Sequence, residues 1–180
     1  NFIALANAVG FDYQPYKMDI ILPMGISFYT FQTMSYTIDI YQRKIQPART
    51  FLDFALYVTF FPQLVAGPIV RAKDLITQFY EPKRATANQF IWGLFLLTLG
   101  LFQKVVLADV MLSGASDSVF SPGQTLSFLD AWTGTLAFSG QIFFDFAGYS
   151  TCAIGIALML GIILPDNFRY PYASLGFSDL

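Results

Sequence analysis

A handful of polar side chains stand in surroundings apolar enough for lipid, and their types decide what chemistry the chain can support. Gln63 sits within FFPQLVAGPIVR (Phe60 to Arg71), a run broken by two prolines and a glycine. Where water is absent, interrupted backbone survives only inside protein or beside a wet cavity, because its freed N–H and C=O groups need other partners. The Gln63 amide can therefore serve a bound molecule or repair the chain around it. Arg71 closes the run, and its planar guanidinium suits a phosphate as well as it suits anchoring at a cytoplasmic interface. Asp145 lies between phenylalanines, and a carboxylate at membrane depth is a functional candidate by default. Its structural alternatives are capping a helix that starts after Gly148 or pairing with a basic residue. Lys104, snorkelling along its stem, and Asp109 on the next turn read as a structural pair. Asp166, Asn167, Arg169 and Tyr170 follow Pro165, where they can line a channel or act as ordinary loop chemistry. Cys152 is the single cysteine, so no intrachain disulfide and no cysteine-based metal site is expected.

The elements that hold these residues must be membrane helices. Of the 180 residues 55% are hydrophobic and 18% aromatic, while 12% are charged, against about 25% in soluble domains. A net charge of −2 without a long basic run excludes a nucleic-acid partner. Residue 1 is Asn, and the first twenty residues lack the basic start and cleavage site of a signal peptide. The chain accordingly reads as part of something longer.

A spanning helix needs about 20 predominantly apolar residues. Segments of that kind are expected at approximately residues 20–38, 51–70, 89–112, 126–146 and 149–164, the last two forming a helical hairpin turned at DFAGYS. Seven of the ten basic residues fall in two connections, Arg43, Lys44 and Arg49, then Arg71, Lys73, Lys83 and Arg84. Both connections are therefore expected in the cytoplasm. The segment 51–70 between them must then turn back, which its prolines and glycine allow, so a re-entrant element is predicted. Ser113 to Thr125 holds no basic residue and is expected outside.

Several ordered motifs carry a resemblance. LPMGISFYTFQTMSYTIDIYQRK, FLDFALYVTFFPQLVAGPIVRAKDL, FQKVVLAD, FFDFAGYS and LPDNFRYPY together resemble the membrane-bound O-acyltransferase family. Within it they are most similar to the alginate O-acetyltransferase branch, related to the teichoic-acid D-alanylation transferases. The resemblance implies an all-α, polytopic ring of transmembrane helices in the inner (plasma) membrane, of which residues 1–180 form one partial domain. It also implies transfer of an acetyl or similar acyl group from a cytoplasmic donor, acetyl-coenzyme A, to hydroxyls of an extracellular polysaccharide such as alginate, through a periplasmic acyltransferase partner. Gln63, Arg71, Asp145, Tyr149 and Asn167 are the substrate-binding candidates, and no metal ligand is expected.

The family's catalytic histidine lies downstream of the segment matching LPDNFRYPY, and this chain contains no histidine. A sugar hydroxyl is protonated at neutral pH, so acyl transfer needs a base with a pKa near 7, to which histidine is suited. No catalytic residue is assigned here; the base is expected beyond Leu180, and the chain alone is expected to be inactive. Two other classes stay open, a transporter built on discontinuous helices and a non-catalytic membrane scaffold.

Overall fold

Hydroxyl side chains fix where the helices begin. In the computed structural model, residues 25–64, 67, 68, 70–123, 125–167 and 173 are described. Thr50, Thr86 and Ser127 each accept a hydrogen bond from the backbone N–H three residues on, at 3.1, 3.2 and 3.2 Å. The side chains at those third positions, Asp53, Gln89 and Asp130, accept in return from the capping residue's own N–H. Two donors left over at each helix start are satisfied reciprocally in this way.

The described residues form helices and connections with no β-strand among them. α1 spans Ile26–Tyr41, α2 Phe51–Thr59, α3 the single turn Phe61–Leu64 and α4 Ala72–Phe79. α5, Ala87–Leu101, runs into a π-helical segment, Phe102–Leu112, and on into α6, Ser113–Phe120. Together these three make one rod of 34 residues. α7, Phe128–Met159, has 32 residues. The first expected span begins on residues outside the described ones.

The rod and α7 are long and apolar enough to cross a membrane. Only 11% of the apolar window of the rod is buried, so it is not the core helix of a soluble fold. Exposed Trp92 stands near the start of the rod and exposed Trp132 near the start of α7. Because the two helices run antiparallel, these rings mark opposite ends of the pair, as interfacial aromatics do.

Two boundaries differ from the sequence reading. No hairpin forms at DFAGYS: α7 continues through Gly148, and the spans expected at 126–146 and 149–164 are one helix. The reason is packing. A Cβ at Gly148 would lie 2.8 Å from the Gly100 carbonyl oxygen, and one at Gly155 would lie 2.6 Å from that of Gly93. The missing side chains let the two backbones touch, and close approach of this kind favours small residues in membrane helices. The rod likewise continues through Ser113–Phe120, so the connection expected at Ser113–Thr125 is helical over its first eight residues. α7 stops at Gly161, whose φ of 79° lets its N–H reach the Leu158 carbonyl at 3.0 Å and the Ile162 N–H reach that of Ala157 at 2.9 Å. This is the left-handed glycine stop that satisfies carbonyls at a helix end.

The segment between the basic connections doubles back. α2 and α4 have nine and eight residues, roughly 12–14 Å each, less than half a hydrocarbon core of about 30 Å. The Arg49 N–H donates to the Tyr80 hydroxyl at 3.4 Å, so the chain that departs at Thr50 returns to its starting point. Near the tip, the Tyr57 hydroxyl donates to the Val70 carbonyl at 3.1 Å. Gly67 lies directly over Pro62 and Gln63, where a Cβ would collide with the Gln63 Cα. A buried cluster of Tyr57, Phe60, Val70, Leu75 and Ile76 fills the loop and joins Ala157, Ile162 and Leu164 at the end of α7. Gln78 secures that junction by accepting from the Ile163 N–H at 2.9 Å and donating to its carbonyl at 2.8 Å.

Candidate functional site

The helix break at Phe60 creates the first element of the site. Phe60 has extended backbone (ψ 102°), so the ladder of α2 stops and the Tyr57 carbonyl is left without its helical donor. Two side-chain amides replace it: Gln32 Nε2 of α1 donates at 3.0 Å and Gln63 Nε2 at 2.8 Å. Gln63 is 3% exposed, and its Oε1 is buried without a hydrogen-bond partner. The repair role for Gln63 is therefore visible, and one strong acceptor remains free beside it.

The second element is the contact between the π segment and α7. Lys104 and Asp109 are five apart, which in an α-helix of 3.6 residues per turn would place them about 140° apart. The wider winding of a π-helix, with its i→i+5 hydrogen bonds, brings them onto one face. Lys104 Nζ bonds Asp109 Oδ1 at 2.7 Å and also pairs with Asp145 Oδ1 of α7. Tyr149, one turn beyond Asp145, presents its ring 5.6 Å from the same ammonium. Two carboxylates share one cation, and the cluster carries a formal net charge of −1.

These elements border a half-open cavity of about 290 Å³. Phe61, Pro62 and Gly67 of the doubled-back segment form one wall, and Leu97 and Leu101 of α5 another. Tyr149, Cys152 and Ile156 of α7 complete it, with Lys104 as the charged group at its edge. Cys152 packs as a small apolar residue, its thiol 3.6 Å from the Leu97 carbonyl. An apolar chamber with a few convergent polar groups is the usual form of a small-molecule site, and here it is walled by the interrupted segment that the sequence singled out.

The candidates from the sequence are only partly brought together. Asp145 and Tyr149 meet at the ion cluster; Asp145 caps no helix, since none begins after Gly148. Gln63 belongs to the turn behind the chamber wall. Asn167 donates from Nδ2 to the buried Ser150 hydroxyl at 3.0 Å, which ties the segment after α7 to the helix one residue beyond Tyr149. Arg71 lies apart, exposed at the start of α4. Arg169 and Tyr170 fall outside the described residues. Lys104 forms the structural pair with Asp109 that its sequence suggests; its second partner, Asp145 of α7, depends on long-range packing.

An interrupted segment folded against a close-packed pair of helices, each long and apolar enough to cross a membrane, is the architecture of an all-helical membrane protein. Residues 48–174 match the membrane-bound O-acyltransferase family, and the chain belongs to that family. Among similar proteins, a probable alginate O-acetylase of Pseudomonas aeruginosa is 41% identical over 170 residues, covering 94% of this chain and 32% of that protein. A peptidoglycan O-acetyltransferase of Helicobacter pylori is 39% identical, covering 90% and 36%. A teichoic acid D-alanyltransferase of Lacticaseibacillus rhamnosus is 29% identical, covering 84% and 40%. The chain thus spans about a third of the length of the first two relatives.

Proposed function

We propose that this chain forms part of an O-acyltransferase of the inner (plasma) membrane, crossing it several times, which passes an acetyl or similar short acyl group from a cytoplasmic donor toward hydroxyls of an extracellular polysaccharide. The observation that carries this reading is the chamber between the interrupted segment and the rod–α7 pair, in a chain whose family transfers acyl groups to oxygen. The names of the relatives point to acetyl and D-alanyl groups and to alginate, peptidoglycan and teichoic acid; identities of 41% and 39% against 29% favour acetyl, and alginate is the acceptor we take as the example. Acetyl-coenzyme A is the donor this suggests, with a periplasmic acyltransferase as the partner that completes transfer to the polymer.

In the transfer, an acceptor oxygen attacks the thioester carbonyl, the C–S bond breaks, and the hydroxyl proton must leave through a base. The chain holds no histidine, so the base is assigned to the remainder of the protein. The cavity's mostly apolar lining suits the acyl part of the donor. Lys104 and Tyr149 offer polar groups on its lining, and Asp145 stands behind them as a partner of Lys104. Membrane vesicles carrying the full-length protein, supplied with labelled acetyl-coenzyme A on the side of the basic connections, should transfer label to polymer. Asp145→Ala and Gln63→Ala should each reduce that transfer without loss of inserted protein. Unchanged acylation in both variants would overturn the placement of the site.

A further inference from the structure

A second cavity, of about 390 Å³, lies at the mouth of the doubled-back segment, away from the chamber described above. Its floor is apolar, made by Ile45, Pro47 and Ile76, while its polar rim includes Arg49 and Lys73. No carboxylate lines it, and among the described residues neither Arg49 nor Lys73 has an ion-pair partner. The walls are fastened from three elements. The Ala48 N–H donates to the Tyr36 hydroxyl of α1 at 2.9 Å, the Arg49 N–H to the Tyr80 hydroxyl, and the Arg49 guanidinium lies 4.1 Å from the Tyr80 ring centroid. That stacking holds one face of the guanidinium and leaves its edge N–H groups free to donate.

Charge at the rim above an apolar floor is complementary to an amphiphile with an anionic head. The location supports the same occupant: the cavity sits where the segment enters and leaves, among the basic connections, the level at which anionic headgroups attract clustered Lys and Arg. We propose that this cavity binds the phosphate of an anionic phospholipid, with the guanidinium of Arg49 and the ammonium of Lys73 on the phosphate oxygens and the glycerol and upper acyl carbons over Ile45, Pro47 and Ile76. The bound lipid fills the cavity between the 45–49 connection and α4, bracing the base of the doubled-back segment.

The test uses the full-length protein in nanodiscs mixing phosphatidylcholine and phosphatidylglycerol, with retained lipid counted by mass spectrometry after transfer to detergent. Phosphatidylglycerol should be enriched over its share of the disc. Arg49→Gln and Lys73→Gln should each lower that enrichment about fivefold, and Arg49→Lys should keep most of it. Lys44→Gln, which removes a nearby cation outside the cavity, should leave it unchanged. Equal loss with Lys44→Gln would show diffuse attraction and overturn the proposal, as would absence of enrichment. Displacement of the lipid by adenosine 3′,5′-bisphosphate, with the same dependence on Arg49 and Lys73, would reassign the cavity to a soluble phosphate. If Arg49→Gln fails to fold, Lys73→Gln and Arg49→Lys decide the question.

Discussion

Gly100→Ala isolates the contact on which the helix pair depends. A Cβ at Gly100 would lie 2.6 Å from both the Gly148 carbonyl oxygen and Cys152 Sγ, about 0.8 Å inside the 3.4 Å at which ordinary contact begins. The carbonyl belongs to the backbone of α7 and cannot swing aside, so the two helices must part along the seam. Overpacking of this kind costs about 1–3 kcal/mol. Replacing a helical glycine by alanine returns roughly 0.5–1 kcal/mol, leaving a net loss of up to about 2.5 kcal/mol. Gly148→Ala meets Gly100 O at 2.8 Å and the Lys104 backbone nitrogen at 2.9 Å and should lose a similar amount. Gly114 of α6 provides the control, since nothing lies within 4 Å of a Cβ there. Only the conformational gain remains, and Gly114→Ala should raise stability by up to about 1 kcal/mol. The double variant Gly100→Ala/Gly148→Ala should cost less than the sum, because parting the helices for one methyl makes room for the other. Thermal denaturation of the full-length protein in detergent reads all four. Shifts of the same sign for Gly100→Ala and Gly114→Ala would refute the backbone contact.

Other consequences follow from the same geometry. Lys104→Met strands two carboxylates; breaking a buried pair costs roughly 3–5 kcal/mol, and the partial exposure of this cluster lowers the expected loss to about 1–3 kcal/mol. The triple variant with Asp109→Asn and Asp145→Asn should recover most of it in the same denaturation assay. Gln32→Leu and Gln63→Leu should each cost about 1 kcal/mol, and together more than their sum, since only the pair leaves the Tyr57 carbonyl with neither amide; limited proteolysis near Phe60 would report the opening. Reporters inserted at Ser121–Gly123 and at Glu81–Ala85 should appear on opposite faces of the membrane, the latter in the cytoplasm. Finding both on one face would overturn the topology.

Composition and breaks made the fold class and the doubling-back at FFPQLVAGPIVR legible, because proline and glycine act locally and a run of that polarity has few places to go. The hairpin at DFAGYS failed for the opposite reason. Gly148 has the sequence signature of a turn, yet its partner lies 48 residues earlier, and only long-range packing shows that Gly148 and Gly155 face Gly100 and Gly93. The signal existed: Gly93 and Gly100, like Gly148 and Gly155, are seven apart, two helical turns, although Gly148 falls in the turn expected between two spans rather than in a span. The capping boxes at Thr50, Thr86 and Ser127 were equally open to a local reading and would have placed the start of α7 correctly. The Lys104–Asp109 pair was legible from FQKVVLAD and forms, although through a π winding that no motif spells out. The join to Asp145 needs the whole helix pair.

The glycine seam also decides which side of the chamber can give way. Rod and α7 touch through main chain at Gly93–Gly155 and Gly100–Gly148, and at those two points no rotamer can give way, so they act as a fixed jamb. The opposite panel is held by side chains instead, two glutamine amides on the Tyr57 carbonyl beside the single turn α3, so of the two sides it is the one whose fit rests on rotamers.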